Sequence, residues 1–286
     1  MNYFKQKVLT IAGSDCSGGA GIQADLKTYT ALGCYGMSVI TAITAQNTTG
    51  VFDVMAVPLS TIESQLHAIF SDISNVNIIK IGMIYDKDII NLVSDILNQN
   101  EFFDKKSNKK IVLDPVMIAK SGSSLFKDDA LNSLKTQLIP MSFLVTPNFD
   151  EAIAISEYSI SSNEKIDENI IFQMGKKILS LGCENVLMKG GHIFFNEGDC
   201  VDYLINNNMN SPSDMISFRS KRIDTQNTHG TGCTLSSAIA SFLAAGYDVS
   251  HAIEKGKEFV TNGLINAQYE SIGQGHGPLN HCFGLK

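Results

Sequence analysis

One stretch near the start of the chain indicates the fold: VLTIAGSDCSGGAG, residues 8–21. Its first five residues form an apolar run that is typical of a buried strand. A glycine-rich loop follows, and after it Ile22, Leu26 and Tyr29 recur at helical spacing. A strand, a glycine loop and a helix in this order bring the backbone close to a ligand, and they predict an α/β fold.

Two nucleotide-binding motifs can be compared with this loop. The phosphate-binding pattern GxxxxGK(S/T) has no match anywhere in the chain. Gly19, Gly21 and Ala24 fit the loose GxGxxA fingerprint of dinucleotide-binding proteins, which also requires an acidic residue about 20 positions further on. The corresponding segment, AQNT at residues 45–48, contains no carboxylate. A nicotinamide-dependent oxidoreductase is therefore the least favoured alternative.

A second glycine-rich stretch, NTHGTGCT at residues 227–234, opens into an amphipathic helical pattern. The N-terminus of a helix presents unpaired backbone N–H groups and the positive end of the helix dipole, which together attract anions such as phosphate. Cys233 lies in the same field, which favours a thiolate. In the alternative interpretation, the glycine turn binds no ligand and Cys233 only packs against its neighbours.

The composition limits the classes of function. The chain has 286 residues and a formal net charge of −7, which argues against nonspecific binding to nucleic acid or anionic membranes. No apolar run reaches the roughly 20 residues that span a bilayer, and the first residues lack the apolar region of a signal peptide. The six cysteines form no CxxC pair, which is typical of reduced thiols. These features predict a soluble cytoplasmic protein.

Strand-like and helix-like segments alternate along the chain. The predicted strands are 7–13, 36–44, 77–82, 110–115, 143–147 and 185–190, and the predicted helices are 21–32, 59–74, 87–98, 128–139, 166–181, 230–245 and 249–268. This alternation predicts a single domain over residues 1–286, with a mostly parallel sheet and helices on both faces. The irregular stretch 196–214, flanked by strand-like runs, is expected to be an exposed β-excursion.

Polar and glycine residues follow the predicted strands at their carboxyl ends, where parallel sheets bind ligands. They are Gly13, Asp15, Gln46, Gly82, Asp114, Asn148, Glu151 and Lys189. Each has a simpler explanation when taken alone, since Glu151 could be a first-turn helix carboxylate and Asp25 an exposed helix residue. Their common position at one edge of the sheet favours a binding site.

This edge contains the groups that phosphoryl transfer requires, a reaction that depends mostly on positioning and charge neutralisation. The backbone N–H groups of Gly230, Thr231, Gly232 and Cys233 can bind the transferred phosphoryl group. Lys189 supplies a positive charge, and Asp114 and Glu151 are oxygen ligands suited to Mg²⁺ through water. The base is then Cys233 or a neighbouring carboxylate.

Nearly end to end, the chain resembles the hydroxymethylpyrimidine/phosphomethylpyrimidine kinases of thiamine biosynthesis, within the ribokinase-like superfamily. The matching segments occur in the same order: LTIAGSD (9–15), SGGAGIQADLK (17–27), AQNT (45–48), KIGM (80–83), DPVM (114–117), TPN (146–148), KGGH (189–192), NTHGTGCT (227–234) and GHGPLNH (275–281). The resemblance implies a ribokinase-like domain and two ATP-dependent steps in one site. The first phosphorylates the alcohol of the pyrimidine, and the second converts the monophosphate to the diphosphate.

The resemblance also implies roles for residues around the pyrimidine. Gln46 should hydrogen-bond the aminopyrimidine edge. The remaining residues expected to line this pocket are Gly13, Ala20, Asp25, Met83 and Val116. Residues 230–233 should form the anion hole for the transferred group, with Cys233 at the position of the catalytic Asp of the superfamily's sugar kinases.

Further implications concern the nucleotide and the assembly. Contacts to ATP are expected from Asn148, Lys189 and His229, and contacts to Mg²⁺ from Asp114 and Glu151. Residues 120–127 resemble a mobile flap over the site. Family members are typically dimers, so a homodimer is expected.

Two positions depart from the family pattern, and two other functions stay open. Cys16 stands where many relatives have proline, and Thr44 replaces a commonly aliphatic residue.

The nearest alternative is a pyridoxal/pyridoxine kinase of vitamin B6 salvage. Gln46 argues against it, because its amide matches both the amino group and the ring nitrogen of an aminopyrimidine. A non-catalytic sensor of pyrimidine or B6 ligands is disfavoured by the presence of Lys189 and Cys233.

Overall fold

In the computed structural model, the described residues are 5–73, 75–99, 110–117, 129–160, 165–190 and 198–284. The expected flap at 120–127 lies outside them. The strands are β1 (Lys7–Asp15), β2 (Tyr35–Asn47), β3 (Gly50–Ala56), β4 (Ile78–Ile81), β5 (Lys110–Leu113), β6 (Leu144–Val145), β7 (Asn185–Met188), β8 (Asp199–Asn206) and β9 (Ile216–Lys221). The α-helices are α1 (Gly21–Ala31), α2 (Leu59–Asp72), α3 (Lys87–Gln99), α4 (Ala130–Ser133), α5 (Phe149–Ser156), α6 (Glu168–Leu179), α7 (Thr231–Ala244) and α8 (Val249–Ile265).

The nine strands form one sheet in the order β3-β2-β1-β4-β5-β6-β7-β8-β9. Strands β2, β1, β4, β5, β6 and β7 are parallel to their neighbours in this series, whereas β3, β8 and β9 pair antiparallel. The carboxyl ends of the parallel strands therefore meet at one edge. The predicted α/β class with a mostly parallel sheet is confirmed.

Alternate residues of the central strands enter two different hydrophobic cores. Leu9 and Ile11 of β1 pack with α2, α3 and α6 on one face of the sheet. Val8 of the same strand packs with α7 and α8 on the other face. Because neighbouring side chains in a strand point to opposite faces, continuously apolar strands require helices on both sides. The structure has this arrangement.

Four elements differ from the sequence-based expectation. Strand β3 pairs with β2 through a tight turn and had not been predicted, and neither had the short helix α5. The described part of the expected β-excursion, residues 198–214, contributes β8 to the sheet between β7 and β9, and most of that strand is buried. The expected strand-like runs correspond to β8 and β9, but β8 is mostly buried where an exposed strand was expected, because it completes the sheet beside β7. Within the predicted helix at 128–139, the structure has the short helix α4 followed by a π-helical segment, Leu134–Leu138.

A buried ion pair joins four of these elements. Lys80 of β4 and Asp25 of α1 are both fully buried, with the Lys80 Nζ 2.8 Å from Asp25 Oδ2. Thr10 of β1 and Ser237 of α7 also donate hydrogen bonds to this carboxylate, at 2.6 and 2.7 Å. Buried charges are found where they are paired and hydrogen-bonded, as in this case.

Asp25→Ala should lower the free energy of unfolding by roughly 3–5 kcal/mol, because it leaves the Lys80 ammonium buried without a counter-charge. Urea unfolding followed by circular dichroism measures this loss. Asp129→Ala is the matched control: it removes the partner of Lys87 from an exposed pair of the same 2.8 Å length, and it should change stability little. Similar losses in the two variants would contradict the importance of the buried pair.

Candidate active site

The glycine turn before α7 packs directly against the glycine loop after β1. Gly230 precedes the helix with a φ of 75°, in the left-handed region that favours glycine. A Cβ on Gly230 would lie 1.8 Å from the carbonyl oxygen of Gly19. Glycine is therefore required at this position both by the backbone conformation and by the close approach. The two stretches that sequence analysis singled out form one structure.

The first turn of α7 is open to an anion. The N–H of Thr234 donates to the carbonyl of Gly230 at 2.8 Å and so makes an early intrahelical bond. The N–H groups of the residues before Thr234 have no acceptor inside the helix, because no preceding turn exists. Gly232 and Cys233 are half-buried, so this end of the helix is accessible from the edge of the sheet. An anion can bind here through backbone donors.

Four polar residues, which we call the Lys189 cluster, lie beside this turn: Asp114, Asn148, Glu151 and Lys189. The Nζ of Lys189 lies 2.7 Å from Asp114 Oδ1 and 3.9 Å from Glu151 Oε2. Asn148 and Glu151 exchange side chain–backbone hydrogen bonds in a capping box that begins α5. A Cβ on Gly232 would lie 3.4 Å from the Lys189 Nζ, so the cluster adjoins the anion-binding turn.

The charges of the Lys189 cluster depend on one another. Burial would raise the pKa of Asp114, but the ammonium groups of Lys189 and Lys80 lower it below its ordinary value. Burial raises the pKa of Glu151 to about 7, although Lys189 opposes this rise. Burial would lower the pKa of Lys189, but Asp114 and Glu151 raise it above its ordinary value. At neutral pH the cluster thus has a fixed anion, a fixed cation and one carboxyl group that titrates.

Strand β8 and helix α8 hold the turn that carries Lys189. The backbone N–H of Gly190 donates to Asp202 Oδ1 of β8 at 2.9 Å. The other oxygen of Asp202 lies 2.6 Å from the Nζ of Lys257 on α8. A Cβ on Gly190 would lie 1.8 Å from the carbonyl oxygen of Val201, so no larger residue fits. The strand that the sequence analysis misjudged therefore supports the site.

The expected pyrimidine-side residues Gly13, Met83 and Val116 are brought together. A Cβ on Gly13 would lie 3.0 Å from the Met83 sulfur. Met83 belongs to a small apolar cluster with Ala42, and the half-buried Val116 packs against it. Ala20 lies nearby in the first loop, and its N–H donates to the Asp15 carboxylate at 2.9 Å. These residues form an apolar wall next to the end of β1.

Gln46 lies half-buried at the end of β2, between Thr44 and His229. One end of its amide is 3.2 Å from the Thr44 hydroxyl, and the other is 3.2 Å from His229 Nε2. His229 Nε2 also lies 2.8 Å from Asp15 Oδ2. His229, which was expected to contact ATP, contacts Asp15 and the pyrimidine-side residue Gln46.

Asp15 organises the first loop; it was expected at the ligand-binding edge of the sheet, but without a role of its own. Its carboxylate accepts hydrogen bonds from the N–H groups of Ser17, Gly19 and Ala20, at 2.8, 3.2 and 2.9 Å. Burial would raise its pKa, but the bonds from His229 and Ser17 lower the pKa to about 2. The sequence signal for this role was an Asp followed by Ser and Gly residues, which is typical of a turn held by the Asp side chain.

Asp25, which was expected to line the pyrimidine pocket, makes buried contacts in the structure. The residue is fully buried, and its two oxygens contact Lys80, Thr10 and Ser237, so Asp25 supports the site from beneath. The functional partner that sequence reasoning missed is Lys80. A single lysine in the otherwise apolar strand IIKI was the signal, because a buried ammonium requires a buried partner.

The structure also corrects the expected thiolate at Cys233. Burial raises the pKa of this thiol to about 11, although the Lys80 ammonium opposes the rise. The carboxylates of Asp25 and Asp114 raise the pKa of Cys233 further. Desolvation and two neighbouring anions thus outweigh the Lys80 ammonium, and this pKa favours the neutral thiol of Cys233 at pH 7. All six cysteines of the chain are unpaired.

Comparison with known proteins agrees with this geometry. The family model described as phosphomethylpyrimidine kinase matches residues 15–280. A hydroxymethylpyrimidine/phosphomethylpyrimidine kinase from Haemophilus influenzae is 41% identical over 96% of this chain and 96% of its own. A thiamine biosynthesis bifunctional protein from Geobacter sulfurreducens is 44% identical over 98% of this chain, which spans only 53% of that longer protein.

Solved structures extend the comparison. A phosphomethylpyrimidine kinase from Clostridium difficile is 43% identical, with a TM-score of 0.73 over 91% of this chain and 99% of its own. The pyridoxal kinase of Staphylococcus aureus in complex with AMP-PCP and pyridoxal is 27% identical, with a TM-score of 0.82 over 98% of this chain and 95% of its own. With its fold, its anion-binding turn and these matches, the chain belongs to the phosphomethylpyrimidine kinase family.

Proposed function

We propose that the protein transfers the γ-phosphoryl group of ATP to 4-amino-5-hydroxymethyl-2-methylpyrimidine, and then phosphorylates the monophosphate to the diphosphate for thiamine biosynthesis. One observation carries the proposal. The anion-binding turn of α7 lies between the pocket that contains Gln46 and the Lys189 cluster. An acceptor alcohol on one side and a nucleotide on the other would both point at this turn.

Each group then has a part in the transfer. The backbone donors of residues 230–233 stabilise the charge on the transferred phosphoryl group. Lys189 neutralises the nucleotide phosphates, and Asn148 contacts the nucleotide beside it. Gln46 pairs with the pyrimidine, whose hydroxymethyl group is held near Cys233. Positioning and charge neutralisation supply most of the rate enhancement in such reactions.

Magnesium fits the Lys189 cluster as a partner of the nucleotide. Within the described ranges, no group of three His, Cys, Asp or Glu side chains could hold a metal ion by itself. Mg²⁺ commonly binds through one or two carboxylates together with substrate phosphates and waters. Glu151 and Asp114 are the carboxylates in reach of such an ion, and Mg²⁺ would neutralise charge on the phosphates.

We further propose that the enzyme is a cytoplasmic homodimer. Ile43 and Met55 are a cross-strand pair on β2 and β3, and both are strongly exposed, at 45% and 56%. Exposed apolar pairs on an edge hairpin suit contact with a second copy. The cytoplasm supplies ATP and keeps unpaired cysteines reduced. In the described part of the chain, none of the helices has the length and hydropathy needed to cross a membrane.

Coupled ATP-consumption assays with the hydroxymethylpyrimidine, its monophosphate, pyridoxal and pyridoxine test the function directly. We expect turnover of both pyrimidine substrates and slow turnover of the B6 compounds. Fast turnover of B6 compounds alone would indicate a pyridoxal kinase. Ligand binding without any turnover would indicate a sensor.

Gln46→Leu should raise the KM for the pyrimidine about 5- to 150-fold, because the polar edge of the substrate loses its partner.

Lys189→Met should lower kcat by about 10²- to 10³-fold, because the charge that neutralises the phosphates is lost. The variant also leaves Asp114 without its 2.7 Å partner, so its thermal unfolding must be measured in parallel. Combining it with Asp114→Asn should restore stability without restoring kcat. Lys189→Arg, which keeps the charge, is the conservative control. A normal kcat in Lys189→Met would exclude the assigned role.

The pKa of about 11 for Cys233 predicts the pH dependence of turnover. A thiolate base would make kcat rise about tenfold per pH unit until that pKa, since the deprotonated fraction grows with pH. A neutral thiol in the anion-binding turn gives no such rise. We expect kcat at saturating substrates to stay within about twofold between pH 8 and 10, in the wild type and in Cys233→Ser. A tenfold rise of kcat per pH unit in the wild type, absent from Cys233→Ser, would identify Cys233 as the base.

A further inference from the structure

The hydrogen-bonding partners of His229 determine where its proton lies. Nε2 of His229 is 2.8 Å from Asp15 Oδ2 and 3.2 Å from the nearer atom of the Gln46 amide. An ionised carboxylate only accepts hydrogen bonds, so Nε2 must carry a hydrogen. This single N–H is shared between the Asp15 carboxylate and the amide atom at 3.2 Å, where an NH₂ group would oppose it, so that atom is the oxygen of Gln46.

The other end of the amide is compatible with the same orientation. The Thr44 hydroxyl is 3.0 Å from the carbonyl oxygen of Ser14 and 3.2 Å from Gln46. A hydroxyl has one hydrogen, and a carbonyl oxygen can only accept it. When this hydrogen goes to Ser14, Thr44 must accept from Gln46, so the amide NH₂ lies beside Thr44. Oxygen and nitrogen of an amide are assigned from such networks, and one orientation satisfies both neighbours.

The position of the His229 ring is itself fixed. Its backbone N–H donates to the carbonyl of Gly277 at 3.0 Å. A Cβ on Gly19 would lie 2.3 Å from Cδ2 of the ring, so the ring fits against the first loop only because residue 19 is glycine. Asp15 is likewise held by three backbone N–H groups of that loop. Neither partner of the pair can reorient without disturbing the loop.

We propose that the Asp15–His229 pair holds the Gln46 amide in one orientation, and that this orientation selects 4-aminopyrimidines over 4-oxopyrimidines. The inference rests on the proposed pyrimidine kinase activity. An amide has two acceptor and two donor positions. His229 and Thr44 use one of each, which leaves one acceptor on the His229 side and one donor on the Thr44 side.

The remaining acceptor and donor match only one of the two substrate classes. A 4-aminopyrimidine donates from its amino group and accepts at its ring nitrogen, so its amino group binds on the His229 side. A 4-oxopyrimidine accepts at its carbonyl oxygen and donates from its ring N–H. It requires the reversed amide, which would place the NH₂ group of Gln46 against the N–H of His229, two donors facing each other. Asp15 and His229 are thus positioning residues for specificity.

The experiment compares kcat/KM for the 4-amino substrate with that for its 4-oxo analogue, 5-hydroxymethyl-2-methylpyrimidin-4-one. We expect the wild type to prefer the amino compound by at least about 100-fold. His229→Leu, which removes the N–H, should reduce this ratio at least tenfold. Because the ratio is taken within each variant, a general loss of active enzyme cancels. Gly19→Ala displaces the ring without removing the imidazole, and it should shift the ratio in the same direction.

Thr44→Val is the matched control, because a hydroxyl can donate or accept and therefore does not choose the orientation. It should weaken both substrates and keep the ratio. An unchanged ratio in both His229→Leu and Gly19→Ala would overturn the inference, and so would a wild type that uses both substrates equally well. In these cases the pyrimidine kinase activity would still stand. A wild type that phosphorylates neither pyrimidine would overturn the proposed function and the inference with it.

Discussion

The ion pair of Lys80 and Asp25 is the contact on which the arrangement of the site depends. It joins β4 to α1, and the same carboxylate is bonded to Thr10 of β1 and Ser237 of α7. The first turn of α7 must face the ends of the parallel strands at a fixed distance to bind a phosphoryl group there. A buried, fully hydrogen-bonded charge pair holds this geometry more tightly than apolar packing alone, because apolar contacts have little directionality.

The site above this pair combines opposite charges in a space that excludes much of the solvent. Asp114 is anionic, Lys189 is cationic, and Glu151 titrates near neutrality because of its burial. Electrostatic interactions are stronger in such surroundings than in water. A nucleotide that brings additional negative charge therefore meets a preorganised cation and a helix terminus. The neutral thiol of Cys233 suits this arrangement, since a thiolate would repel the phosphoryl group.

Local sequence patterns predicted the parts of this protein that depend on local chemistry. The parallel strands, most helices and the two glycine turns follow from periodicity and from backbone requirements that appear in a few adjacent residues. The surroundings of His229, Asp25 and Cys233 do not follow from such patterns, because they are decided by residues far away in the chain. His229 contacts Asp15 across 214 positions, and the pKa of Cys233 depends on Lys80 and Asp114. Strand β8 was expected to be exposed, because its own residues do not reveal that it pairs with β7.

The contact between the two glycine segments has a consequence for the synthesis of the protein. Gly19 belongs to the first loop and Gly230 to the last large turn, yet they touch. A ribosome adds roughly 5–20 residues per second, so the 214 positions from Asp15 to His229 take about 10–40 seconds to translate. Throughout that time the emerging first loop lacks its contacts with His229 and Gly230. A nascent chain is therefore catalytically silent until its last helices have left the ribosome.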